Sequence, residues 1–415
     1  MKRTVCILTA LLVSFCAFSR SFSDSFENAT LRLDYIFSGN SEESHIAFMG
    51  AFRTRIWAGR KSNLEKPLLA GNGSIEVLDP ESGEVLYSNS FSTLFQEWQT
   101  TDEALKVTKG FENCFQVPWP RKTVDVRVTL TDKYHRVSAS LTHPIDPKDI
   151  LIRPLRSRNA WRQIHGGGHH DTRIDVAIVG DGYSRKDQKK FWDDASAAVS
   201  SLLSHAPFDS LAGRFNFVAV AAVSDESGVS VPHAGQWAST CFSSHFDTFY
   251  TERYLTTSAQ RAIYGELAGV PFEHIIILSN TDRYGGGGIF NSLTIVAADD
   301  RRTPVVTVHE FGHAFAGLGD EYFYDDDYSD TYPDGVEPWE PNITTKTDFA
   351  SKWKDMMEGG VPGVGLFEGG GYRSKGVWRP SEDCRMKTNE CESFCPVCKR
   401  AIVRAVEFYT QGETK

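Results

Sequence analysis

Two histidines four positions apart, His309 and His313, constrain the fold of this chain more than any other feature of its sequence. On an α-helix this spacing projects both imidazoles from one face toward a single point, so the segment is predicted to be helical. Two converging imidazoles suit a tetrahedral zinc ion. Glu310 follows the first histidine, where its carboxylate can take a proton from a metal-bound water and return it to a leaving amine.

The residues around this motif favour a buried helix. Pro304 is well placed near the helix start, apolar residues follow it, and Gly312 is small enough for close backbone approach. The alternative is that His309 and His313 are core histidines and that Glu310 is paired elsewhere. Burying two imidazoles and a carboxylate without a metal is costly, so the metal-binding interpretation is favoured.

A third metal ligand is expected just after the helix. Gly317 and Gly319 can end the helix and turn the chain sharply, which would bring Asp320 back to the metal. Glu321 is the competing choice. The expected metal set is His309, His313 and Asp320, with Glu321 as the alternative third ligand.

A methionine downstream resembles part of another known zinc site. Met386 follows Cys384 and Arg385, and a short methionine-containing turn beneath the zinc is found in the metzincin branch of metallopeptidases. Metzincins continue the motif with His-x-x-Gly-x-x-His, whereas this chain has Ala316 at the glycine position and Gly319 at the third-ligand position. The third ligand is thus inferred and is not read from the metzincin pattern.

Residues 309–322 also carry a more specific resemblance. They match HEFGHxFxGLxDEY, the pattern of the secreted bacterial metallopeptidase family named after IgA peptidase. The resemblance extends to DVAIVGDGYS at 175–184, to SDESGVSVP at 224–232 and to FCPVC at 394–398. It implies a zinc-dependent endopeptidase with Glu310 as the catalytic residue and Asp320 as the acidic ligand, and it does not imply that IgA is the substrate.

The first residues are typical of an export signal. Lys2 and Arg3 precede an apolar run over residues 5–18 and small residues near a cleavage position, so residues 1–19 are predicted to be a signal peptide. The run falls short of the roughly 20 residues of a spanning helix, and no later segment is long and apolar enough. We expect a secreted or cell-envelope protein, with lipid attachment at Cys16 as a less favoured alternative.

Composition argues against one class of partner. The 44 Lys and Arg residues are outnumbered by 54 Asp and Glu residues, which gives a formal charge of -10. A nucleic-acid partner is therefore not expected.

The pattern along the chain predicts an α+β protein. Residues 24–146 show short alternating runs separated by turn sequences, which favour a β-sandwich domain. Residues 147–171 are interpreted as a linker that ends in a Gly/His run, itself more typical of a connector than of a metal site. Strand-like and helix-like segments then alternate over 172–415, which favours a zincin-type, metzincin-like α/β catalytic domain.

Six cysteines remain outside the predicted signal peptide, and an exported protein favours disulfides among them. They are Cys114, Cys241, Cys384, Cys391, Cys395 and Cys398. The last four lie close together in sequence, so a structural zinc site is the alternative, and redox chemistry is less favoured because no thioredoxin-like domain accompanies them.

Three further features bear on the site. The glycine-rich residues 283–292 precede an apolar strand and are interpreted either as a strand edge that accepts an extended peptide or as a mobile loop. Tyr322, Tyr328 and Tyr372 are candidate donors to a transition-state oxyanion. The acidic run 325–330 is expected to be a solvated loop, with a calcium site as a weaker alternative because the EF-hand loop pattern is missing.

Together these patterns predict a secreted zinc endopeptidase that acts on protein or peptide substrates, with one catalytic Zn²⁺. The alternative is a non-catalytic surface module that binds carbohydrate or protein and whose metal motif is structural or degenerate. The large β domain is the main support for that alternative.

Overall fold

The structure is a computed structural model that describes residues 21–156, 159–325 and 331–411. The predicted signal peptide and Cys16 lie outside these ranges. In the first part of the chain the elements are α1 (Phe22–Ser25), β1 (Phe26–Gly39), β2 (Ser44–Thr54), β3 (Gly73–Leu78), β4 (Val85–Phe91), α2 (Leu94–Trp98), β5 (Lys109–Pro120), β6 (Val124–Thr131), β7 (Val137–Ile145) and β8 (Arg153–Pro154).

These strands form two sheets, with orders β5-β1-β2-β8 and β4-β3-β6-β7. Strand β6 illustrates why they pair, because Val124, Val126, Val128 and Leu130 are buried and alternate with partly exposed polar residues. The buried sides of both sheets contribute to one hydrophobic core, which also contains Trp98 of α2. Only the short β8 pairs parallel to its neighbour, and two mainly antiparallel layers over a shared core are the arrangement of a sandwich.

The second part of the chain mixes strands and helices. Its strands are β9 (Trp161–His165), β10 (Ile174–Asp181), β11 (Phe215–Val220), β12 (His274–Ser279), β13 (Gly286–Ile289), β14 (Leu293–Ala297), β15 (Phe367–Gly370) and β16 (Arg373–Arg379). Its helices are α3 (Gln188–Leu203), α4 (Phe208–Leu211), α5 (Gln260–Glu266), α6 (Thr303–Ala316), α7 (Lys354–Glu358) and α8 (Pro396–Thr410). The predicted mixture of α and β structure in several sheets is confirmed.

A larger sheet organises this second part, in the order β13-β14-β12-β10-β11-β9. Strands β11, β10, β12 and β14 run parallel, whereas β9 and β13 pair antiparallel at the two edges. All eight residues of β10 are buried, as expected for a central strand covered on both faces. Helix α6 follows β14 and packs between the sheet and helices α3 and α8.

The segment predicted as a linker contributes to both parts. Strand β8 pairs with β2 in the first part, and β9 pairs with β11 in the second. The Gly/His run that ends the segment is held by His170, whose Nδ1 lies 2.9 Å from the carboxylate of buried Asp175. None of the helices in the described ranges combines the length and apolar character needed to cross a bilayer.

Candidate active site

Helix α6 carries both histidines of the motif. It has a proline in its first turn, and it ends at Gly317, whose φ of 60° is left-handed backbone that glycine adopts without strain. Apolar residues of the helix, among them Val308, Phe311 and Phe315, face the core, which fixes the rotation of the helix. As a result the rings of His309 and His313 lie on one side, with centroids 4.7 Å apart.

Each of these imidazoles is oriented by a backbone carbonyl. Nδ1 of His309 lies 2.9 Å from the carbonyl oxygen of Arg385, and Nδ1 of His313 lies 2.5 Å from that of Leu318. A carbonyl oxygen only accepts hydrogen bonds, so each Nδ1 carries a proton. In the neutral rings this leaves a lone pair on each Nε2, and the two Nε2 atoms face each other at 3.0 Å.

Asp320 is the carboxylate that joins them. Its Oδ1 atom lies 3.1 Å from Nε2 of His309 and 3.2 Å from Nε2 of His313, so the three atoms form a nearly equilateral triangle. Oδ1 is buried and has no hydrogen-bond partner among the described residues. A tetrahedral zinc with ligands at 2.0–2.1 Å would separate such atoms by about 3.3 Å, so the donor set fits this metal.

Electrostatics favour positive charge inside the triangle. Burial lowers the pKa of an imidazole, but Asp320 outweighs it and raises the pKa of His313 to about 9. Burial likewise opposes ionisation of Asp320, but the two imidazoles hold the pKa of its carboxyl well below the usual range. The three side chains therefore stabilise a cation, whether a proton or a metal ion, among their converging atoms.

Glu310 stands beside this triangle. Its carboxylate and one ring nitrogen from each histidine lie within 4.8 Å of one another. Burial raises the pKa of this carboxyl above its usual value. The carboxylate accepts no hydrogen bond from the described residues, so it is free to bind a water molecule.

The loop after α6 is held by a residue that the sequence did not suggest. Asn342 is fully buried and bonds the backbone of Gly319 twice, through its Oδ1 atom at 2.8 Å and its Nδ2 atom at 2.9 Å. Nδ2 of Asn342 also donates to Glu321 at 2.9 Å. These bonds direct Asp320 toward the histidines and Glu321 away from them.

The methionine turn lies below the histidines. Met386 is fully buried, and its Sδ atom is 3.1 Å from the position that a Cβ at Gly312 would take. The carbonyl of Met386 accepts from the backbone N–H of Glu321 at 2.8 Å. The turn thus contacts both α6 and the ligand loop, the segment 317–321 that carries Asp320.

Of the candidate oxyanion donors, two are described, while Tyr328 lies outside the described residues. The hydroxyl of Tyr372 donates to Oδ2 of Asp320, which fixes the orientation of that carboxylate. The hydroxyl of Tyr322 lies 3.4 Å from that of Tyr372, which is long for an O–H···O bond. Tyr372 is therefore engaged in positioning Asp320, and Tyr322 is the freer of the two.

The glycine-rich segment forms edge strand β13, next to α6. A Cβ at Gly288 would lie 2.3 Å from the carbonyl oxygen of Glu310, and one at Gly286 would lie 2.9 Å from the Oε1 atom of the same residue. Close packing against the helix accounts for these glycines. The outer edge of β13 is partly covered, because Tyr254 forms a parallel bridge with Gly286.

The predicted disulfides are not confirmed, because all six cysteines are free thiols in the structure. Cys384, Cys395 and Cys398 gather with Glu321 instead, whereas Cys391 turns away and donates to the carbonyl of Ser393. Of the acidic run weighed as a calcium site, Asp326, Asp327 and Asp330 lie outside the described residues.

The first part of the chain reaches the edge of the site. The hydroxyl of Tyr254 donates to Glu97, which belongs to α2, at 2.6 Å. The backbone N–H of Ser92 donates to the carbonyl of Phe290 at 3.0 Å, just after β13. The first part of the chain therefore lies beside β13 and helix α6.

Comparison with known families gives two matches. The family described as IgA Peptidase M64 matches residues 163–363 and 360–406, more than half of the chain. The family described as Peptidase M64 N-terminus matches residues 21–142. None of the curated proteins compared with the chain matches it.

Proposed function

The chain belongs to the M64 family of IgA-type peptidases, and from this premise we propose that it is a secreted zinc-dependent endopeptidase in which Glu310 activates water. The family resemblance of residues 309–322 is thereby confirmed, and a peptidase acts on protein or peptide substrates. The alternative of a non-catalytic binding module does not suit a chain of this family. We also propose that the chain divides into a sandwich domain at 24–146, a linker at 147–171 and a zincin-type catalytic domain at 172–415.

The observation that carries the zinc assignment is the triangle of His309, His313 and Asp320. The two Nε2 atoms and Oδ1 of Asp320 lie 3.0, 3.1 and 3.2 Å apart, so all three can reach one central ion. Oδ1 of Asp320 is buried and has no hydrogen-bond partner among the described residues. Two imidazoles and a single carboxylate suit zinc better than calcium, which prefers six to eight oxygen ligands. When bound, the metal would supply the Lewis-acid chemistry that polarises a scissile carbonyl.

Glu310 would carry the proton transfers. Its carboxylate has no competing hydrogen bond in the described part of the chain, so it can accept a proton from the attacking water. Because it stays next to the scissile bond, the same carboxyl can then donate that proton to the leaving amine. Tyr372 would hold Asp320 in place during these steps.

The test is a set of variants assayed for metal content and for cleavage of a fluorogenic peptide library. Glu310→Gln keeps the side-chain shape but cannot accept the proton, so we expect bound zinc and cleavage reduced by at least about 10²-fold. His313→Ala should lose both the metal and cleavage. Glu252→Gln, which removes an exposed carboxylate outside the triangle, should lose neither. A Glu310→Gln variant with wild-type activity would refute the mechanism.

Export is proposed on the sequence of residues 1–19. We propose that this signal peptide directs the protein to the cell envelope or the exterior, and that Cys16 is removed with it. Mass determination of the N-terminus of the protein recovered from the medium tests this proposal. A mature chain that begins soon after residue 19 would support it, and a chain that retains residue 1 would not.

A further inference from the structure

A second group of metal-ligand side chains lies behind the active site. Glu321, Cys384, Cys395 and Cys398 each offer an atom within 4.8 Å of the others, and all four residues are buried, none more than 5% exposed. Sγ of Cys384 lies 3.8 Å from Sγ of Cys398, and Sγ of Cys398 lies 3.1 Å from Oε1 of Glu321. Four soft or anionic donors thus converge in a space closed to solvent.

Glu321 is the member that most needs a partner. It is fully buried, and although Oε1 receives a hydrogen bond from Asn342, its Oε2 atom has no partner among the described residues. No ion pair to Glu321 is present in the described ranges either. A buried carboxylate without a counter-charge is strongly unfavourable, whereas a cation in the cluster would remove the penalty.

The sulfur atoms are arranged as thiolate ligands commonly are. Backbone N–H groups point at two of them, from Cys395 to Sγ of Cys384 at 3.2 Å and from Cys398 to Sγ of Cys395 at 3.5 Å. Cys395 also occupies the N-cap of α8, where the helix dipole favours negative charge. The Sγ–Sγ distance of 3.8 Å equals the edge of a tetrahedron of thiolates around zinc, which is about 3.8 Å for Zn–S bonds of about 2.3 Å.

We propose that Glu321, Cys384, Cys395 and Cys398 bind a second, structural Zn²⁺ that is distinct from the one proposed at α6. Four protein ligands close the site, so no position remains for water or substrate, as in structural zinc centres. The set differs from a four-cysteine site because Glu321 takes the place of Cys391. This inference does not depend on the proposed mechanism.

The position of this site gives it a role in the active centre. Glu321 follows Asp320 directly, and Cys384 precedes Arg385, whose carbonyl orients His309. A metal bound here would clamp the ligand loop, the Met386 turn and the start of α8 together. It would therefore position Asp320 and His309 without touching substrate.

The experiment uses full-length mature protein loaded with cobalt(II), which reports thiolate ligands by a charge-transfer band in the near ultraviolet. We expect two cobalt ions per chain and this band in the wild type. His313→Ala should lose one ion and keep the band. Cys398→Ser should lose the band and one ion, while Cys391→Ser, a cysteine outside the cluster, should keep both.

Two results would overturn the proposal. One is a wild-type protein that binds a single cobalt ion without the thiolate band, and the other is a Cys384–Cys398 disulfide, seen as a mass lower by two hydrogen atoms. If Cys398→Ser does not fold, the thiolate band and the cobalt content of the wild type and of His313→Ala still test the proposal. Loss of the catalytic site alone would leave the band in place, so failure of the two proposals can be told apart.

Discussion

At the scale of single residues, the triangle of His309, His313 and Asp320 depends on groups outside it. Each imidazole is turned by a backbone carbonyl, and Asp320 is turned by the hydroxyl of Tyr372. Such partners fix the tautomer and the orientation of a metal ligand, and their loss commonly lowers metal affinity. Tyr372 is the partner whose contribution can be removed most cleanly.

Tyr372→Phe should weaken metal binding while the fold is kept. The ring stays, but Oδ2 of Asp320 loses its donor and the carboxylate gains freedom to rotate. We expect metal affinity to fall by about 10–100-fold, measured by competition with a chelator. Tyr324→Phe is the matched control, because its ring lies beside that of Tyr372 while its hydroxyl binds Arg253 instead. Equal affinities in the two variants would contradict the positioning role.

The sequence predicted part of this site, for physical reasons. The spacing of His309, Glu310 and His313 implies convergence because helical geometry is local, and the structure places the three together. The choice between Asp320 and Glu321 was open, since it depends on Asn342, which bonds the loop from a distant segment. The sequence did not indicate that Glu321 joins the cysteines, because that proximity also depends on contacts between distant segments.

At the scale of elements, the packing of α6 on β13 sets the depth of the site. The glycines of β13 were open to two interpretations in the sequence, because a side-chain-free run looks alike in a loop and in a tightly packed strand. In the structure they let the helix backbone approach the sheet edge. By contrast, the mixture of helices and strands in the second part was predicted, because the periodicity of each segment is a local signal.

Gly288→Ala should disturb both stability and metal binding. The added Cβ would meet the carbonyl oxygen of Glu310 at 2.3 Å, and backbone cannot move aside as a flexible side chain can. We expect a loss of about 1–3 kcal/mol in the free energy of unfolding by urea, together with weaker metal binding. Gly265→Ala in α5 has open space around its Cβ and should cost nothing. A Gly288→Ala protein as stable as the Gly265→Ala protein would show that the close approach of β13 to α6 does not require a glycine at position 288.

At the scale of the whole molecule, the first β sheets are docked on the peptidase part by contacts between residues far apart in sequence. Asp34 on β1 pairs with Arg261 on α5 at 3.3 Å, and Tyr254 reaches Glu97. Sequence patterns suggested two parts with a connector, but no local signal marks which faces meet. These pairings span 227 and 157 positions and depend on tertiary packing, so the docking was not predictable from periodicity.

Asp34→Ala should destabilise the molecule far more than removal of Arg261. Asp34 has a side chain only 1% exposed and also binds Arg32, itself 5% exposed, so the variant leaves a buried guanidinium without its carboxylate. Loss of one partner from a buried pair costs about 3–5 kcal/mol. Arg261 is 43% exposed, and Arg261→Met should cost about 0–1 kcal/mol, because solvent screens that pair. Urea unfolding of both variants at one pH compares these values, and similar losses would mean that the buried pair does not dominate the docking.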